Sequence, residues 1–108
     1  MAKRTIKNAE IMKIAKQYAK EVRENYNTET IILFGSYAKG TEEEDSDIDI
    51  AVVIDDLKKD LIDEELNLMK LRRKIDIRIE PHIIRLEDYK KISNPFIKEI
   101  IDTGIKVA

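Results

Sequence analysis

Residues 32–53, ILFGSYAKGTEEEDSDIDIAVV, hold two apolar runs joined by a segment that carries nearly all of the chain's recognisable chemistry. Thr30 to Phe34 is a short, β-rich run that stops at Gly35, as a buried strand bounded by a turn should. Gly35 permits backbone angles or a close ligand approach that a Cβ would block, and Ser36 then opens about one helical turn, SYAKG, which Gly40 can end. Free N–H groups and a hydroxyl at that point suit a phosphate.

Ten residues after Ser36 the pattern changes to alternation: Asp47 and Asp49 interleave with Ile48 and Ile50 before the continuous run Ala51 to Ile54. Strand side chains alternate between faces, so both aspartates project to one side while both isoleucines enter the core. Two parallel carboxylates repel each other without a cation between them. Oxygen ligands with no cysteine and no histidine cluster favour a hard ion, so Mg²⁺ is expected, Mn²⁺ is a substitute and zinc is not.

A second acidic strand is expected in KIDIRIEP, residues 74–81, with Ile75, Ile77 and Ile79 on one face and Asp76, Arg78 and Glu80 on the other. Placed beside the Asp47–Asp49 strand, Asp76 would complete a carboxylate triad and Arg78 could reach phosphate oxygens. Residues 57–74 between them read as a helix, with Ile62, Leu66 and Met69 at helical spacing reinforced by Leu61 and Leu68. Its acids lead and its bases trail, as the helix dipole prefers. Strand, helix, strand makes pairing of the flanking strands plausible.

Gly35-Ser36, ten residues, Asp47-x-Asp49 and the later Asp76 together resemble the signature of the DNA polymerase beta-like nucleotidyltransferases, specifically their small stand-alone branch, the minimal nucleotidyltransferases. The resemblance covers nearly the whole chain. It implies an α/β (α+β) core with a small mixed sheet packed with helices, two Mg²⁺ ions, and transfer of a nucleoside monophosphate from a nucleoside triphosphate to a hydroxyl. It also implies a partner. Members of the branch commonly pair with a small helical HEPN RNase toxin and act as its antitoxin by adding AMP from ATP to a toxin tyrosine, in a hetero-oligomer. Carried over by position, Gly35 and Ser36 hold the triphosphate, Asp47 and Asp49 the metals, and Asp76 the third carboxylate position, which serves both metal and acceptor hydroxyl. The family often has arginine where this chain has Lys39, so a bidentate grip on phosphate becomes a point charge. The loop Glu42 to Asp45 is unusually acidic and is expected to face solvent as a hairpin tip.

The remaining features set bounds. A chain of 108 residues is expected to form one domain, residues 1–108, with a single core. Larger nucleotidyltransferases add domains for base and acceptor, so acceptor recognition is assigned to a partner; a contact-only inhibitor and an enzyme acting on a small-molecule hydroxyl are the alternatives. A net charge of −2 and a pI near 5.5, with bases spread along the chain, argue against general nucleic-acid binding. No cysteine, no signal peptide and no long apolar span imply a cytoplasmic protein without a membrane anchor. The 39% charged content suits a heat-adapted source. A helix over about residues 7–26 puts Ile11, Ala15, Tyr18 and Val22 on one face. Asn94-Pro95 and Gly104 bracket a final helix, and residues 105–108 form a tail or brief strand. His82, after Pro81, reads as an exposed bystander, and Tyr37 as a packing residue.

Overall fold

The computed structural model describes residues 2–55 and 60–108, with side chains from residue 9 onward apart from that gap. A long helix α1 (Ala2–Asn25) leads into strand β1 (Thr28–Phe34), the single-turn helix α2 (Ser36–Lys39) and strand β2 (Ile48–Ile54). Helix α3 (Leu61–Leu71) runs on through a 3₁₀ turn to strand β3 (Ile79–Arg85), helices α4 (Leu86–Lys91) and α5 (Pro95–Thr103), and strand β4 (Ile105–Lys106). Among the described residues the strands form one mixed sheet in the order β3-β2-β1-β4, with β2 and β3 parallel and the other pairs antiparallel. The expected adjacency of the two acidic strands is therefore present, through the helical crossover that a parallel pair requires.

Alternation along the strands divides the core in two. Ile31, Leu33, Ile48, Ile50, Val52, Ile54 and Ile79 meet α1 and α3, including the predicted stripe Ile11, Ala15, Tyr18 and Val22. On the opposite face Ile32, Phe34, Ala51, Val53 and Ile84 meet Ile97 and Ile100 of α5. Asp49, between two fully buried isoleucines, belongs to this second face. Helix α5 begins as its sequence dictates: the Asn94 side chain accepts the Ile97 N–H at 2.9 Å, and Pro95 fills the first turn. The chain end does form a strand, and the Ala108 carbonyl accepts the Ile31 N–H at 3.0 Å.

Two expectations are corrected. Residues 75–78 are not strand: the N–H groups of Ile75 and Asp76 both bond back to the Arg72 carbonyl, and the Asp76 carboxylate accepts the Arg78 N–H. This local turn consumes the groups a longer ladder would need, so β3 starts only at Ile79. Ile77, expected to share a strand face with Ile79, is 75% exposed while Ile79 is fully buried. Helix α3 is also rotated from the expected setting, since Glu64 and Leu68 point inward while Ile62 and Leu66 face out. The inward stripe Glu64, Leu68, Leu71 continues to Ile75, and the buried Tyr18 hydroxyl donates to the Leu68 carbonyl at 2.7 Å. Residues 57–59 of the expected helix lie outside the described residues.

Candidate active site

Gly35 joins β1 to α2 with a φ of 78°, a backbone conformation that residues with a Cβ rarely adopt. It is also pressed against β2. A Cβ at Gly35 would overlap Oδ2 of Asp49, so the turn and the second aspartate are built around each other. Ser36 is the first residue of α2 and half-buried, and Gly40 closes that single turn in the left-handed conformation. Asp47 stands exposed just ahead of β2, and the following amide, Ile48 N–H, donates to the Arg78 carbonyl at 2.9 Å.

Strand register brings a further carboxylate into line. Phe34 pairs with Asp49, and Asp49 with Glu80, so the three lie in one row across β1, β2 and β3. Parallel partners share a face, which puts Glu80 on the Asp49 side. The next row brings His82 beside Ala51, and His82 Nε2 lies 3.4 Å from Asp49 Oδ1. Neither Glu80 nor His82 is among the residues that sequence reasoning assigned to the site. Period-two alternation gives both, and what the sequence left open was the register that sets Glu80 rather than Asp76 beside Asp49.

The residues expected from sequence divide accordingly. Gly35, Ser36, Asp47 and Asp49 gather at the β1–α2 turn and the start of β2. Asp76, expected as the third carboxylate on a strand, instead sits in the turn before β3 and holds Arg78 through two side-chain hydrogen bonds of 3.0 and 2.7 Å. Those bonds keep the Asp76 carboxyl below its ordinary pKa and raise that of Arg78. Arg78 is thus engaged by Asp76, with the buried Tyr37 hydroxyl also close enough to favour its charged form. Lys39 pairs with Glu99 of α5. Neither base extends free toward Ser36. The turn Glu43 to Ser46 is closed by its own hydrogen bonds, with Glu43, Glu44 and Asp45 facing solvent as expected.

The donor chemistry of this region fits a hard divalent cation: carboxylate oxygens from Asp47 and Asp49, a third acid one strand away, and a glycine whose missing Cβ makes room for the Asp49 carboxylate. Among the described residues no three His, Cys, Asp or Glu side chains already converge as a metal cage. Glu80 is instead within 3.9 Å of Arg72, whose guanidinium also donates to the Ile79 carbonyl at 2.8 Å. No described helix is long and apolar enough to cross a membrane.

Comparison with known proteins extends these observations. Residues 10–108 match the family model described as polymerase beta, nucleotidyltransferase. A Methanocaldococcus jannaschii protein named as a candidate protein adenylyltransferase is 35% identical over 98 residues, which cover 90% of this chain and 93% of the relative. The protein adenylyltransferase MntA of Thermococcus cleftensis is 42% identical over 48 residues, 44% of this chain and 48% of the relative. Among solved structures, a toxin–antitoxin assembly with AMP-PNP aligns with a TM-score of 0.62 at 28% identity, over 86% of this chain and 72% of that one. A candidate nucleotidyltransferase from Sulfolobus solfataricus aligns with a TM-score of 0.68 over 95% of this chain and 84% of that one, and at 21% identity shows the shared fold.

Proposed function

Because the chain belongs to the polymerase beta nucleotidyltransferase family, we propose that it transfers AMP from ATP to a tyrosine hydroxyl of a partner toxin of the helical HEPN type, and so acts as that toxin's antitoxin. The observation that carries the reading is the packing of Gly35 against Asp49, which joins a phosphate-binding turn to a carboxylate pair. Sequence relatives named as protein adenylyltransferases, and a solved toxin–antitoxin neighbour holding an ATP analogue, support the nucleotide and the class of partner.

Within this reading Asp47 and Asp49 hold Mg²⁺, with Glu80 as the third carboxylate. The metal, when bound, supplies charge stabilisation for the attacking and leaving oxygens. The protein supplies placement. Ser36 donates its hydroxyl to a phosphate oxygen, and the α2 turn fixes the triphosphate tail along the line of displacement. Glu80, facing the same side as Asp49, accepts the hydrogen bond of the incoming hydroxyl and orients it. A bond forms between that oxygen and the α-phosphorus as its proton passes to the Glu80 carboxylate, the bond to the bridging oxygen breaks, and pyrophosphate leaves. Asp76 holds Arg78 and thereby the turn feeding β3, outside the reacting atoms. Lys39, bound to Glu99, ties α2 to α5.

Calorimetry with Mg²⁺ and a non-hydrolysable ATP analogue tests this assignment. The wild type should bind in a metal-dependent manner and the Asp47→Asn/Asp49→Asn protein should not, with its fold retained because two crowded carboxylates are neutralised. Unchanged metal-dependent binding in the double variant would overturn the site.

A further inference from the structure

Three aromatic rings stand on the sheet face that carries Asp49. Phe34 meets His82 edge-on with centroids 5.0 Å apart and Phe96 edge-on at 5.5 Å, while His82 and Phe96 are 6.0 Å apart. Phe34 immediately precedes Gly35, and His82 reaches the Asp49 carboxylate, so the group adjoins both halves of the proposed nucleotide site. Phe34 is buried. Phe96, however, leaves 46% of its surface exposed although Ile97 and Ile100 already supply the buried face of α5. Its position is nonetheless fixed, by the Asn94 cap and Pro95 at the start of α5 and by the Lys39–Glu99 pair that ties α5 to α2.

We propose that Phe96, braced by Phe34 and His82, is the platform on which the nucleobase of the bound nucleotide stacks. The inference rests on the nucleotidyltransferase reading. With the phosphates at Gly35 and Ser36 and the α-phosphate at Asp49, the opposite sheet face is closed by α1 and α3 over Tyr37, Ile48 and Leu33. The sugar and base are therefore placed on the Asp49 face, at the edge where α5 begins, and the exposed aromatic ring there is Phe96, 6.0 Å from the His82 ring that reaches Asp49. A fixed, half-exposed ring suits the π-face of a base, and every base has one, so the platform adds affinity without choosing among bases.

The chain contains no tryptophan, so Phe96→Trp introduces a single reporter. In Mg²⁺ its fluorescence should be quenched by ATP and left unchanged by inorganic triphosphate. In calorimetry Phe96→Ala should weaken ATP and GTP binding alike, by about tenfold, and leave inorganic triphosphate binding as in the wild type. Wild-type ATP affinity in Phe96→Ala, or an equal loss for ATP and triphosphate, would overturn the platform while the phosphate and metal site stands. Failure of the wild type to bind either ligand would instead overturn the nucleotidyltransferase reading and the platform with it.

Discussion

Gly35 and Asp49 occupy each other's space: the turn that ends β1 leaves no room for a Cβ, because the Asp49 carboxylate fills it. A methyl group there meets both the steric overlap and the cost of a positive-φ, extended-ψ backbone that essentially only glycine adopts. Gly35→Ala should therefore lower stability by about 2 kcal/mol and abolish metal-dependent ATP binding. Adding Asp49→Ala should recover part of the stability and none of the binding. Denaturant unfolding of the single and double variants measures this coupling, and strictly additive losses would mean that the two residues do not share the space.

Ser36 should matter for nucleotide affinity and little for the fold. Removing a hydroxyl that bonds a charged phosphate costs on the order of 1–2 kcal/mol. Ser36→Ala should accordingly bind the ATP analogue several-fold more weakly in Mg²⁺ at unchanged thermal stability. Equal titrations would reduce Gly35-Ser36 to a turn.

The two candidate third carboxylates are separable by pH. Arg78 holds the Asp76 carboxyl below its ordinary value of 3.8, so the folded state favours the ionised form. That stabilisation is present above 3.8 and is lost as the pH falls through the lowered value. With Arg78 partly exposed and screened, Asp76→Asn should cost about 1 kcal/mol at neutral pH, and the difference from wild type should close in acid. Glu80→Gln should leave stability nearly unchanged and remove most transfer. A catalytic defect in Asp76→Asn with no pH-dependent stability difference would return the third position to Asp76.

Much of this was readable in residues 32–53, because Gly35, the alternation of Asp47 and Asp49, and the apolar runs on either side each obey a local rule with one dominant solution. The pairing of β2 with β3 was inferable from the helix between them. The turn that takes Asp76 out of the strand was not. In KIDIRIEP the alternation begins four residues before the strand does, and an aspartate two residues ahead of an arginine can close a turn as readily as it can sit in a ladder. Helix α3 carried two competing apolar stripes, and the one that wins buries Glu64, which a hydrophobicity argument alone discounts. The partner of Lys39, Glu99, is sixty residues away and is set by how α5 lies on the sheet.

Intact mass spectrometry of the partner toxin after incubation with this protein, ATP and Mg²⁺ tests the central claim most directly. Wild-type protein should add mass in whole AMP units to the toxin, and the Asp47→Asn/Asp49→Asn variant should add none. A toxin neutralised equally by both proteins with no added mass would contradict the account and leave inhibition by contact alone.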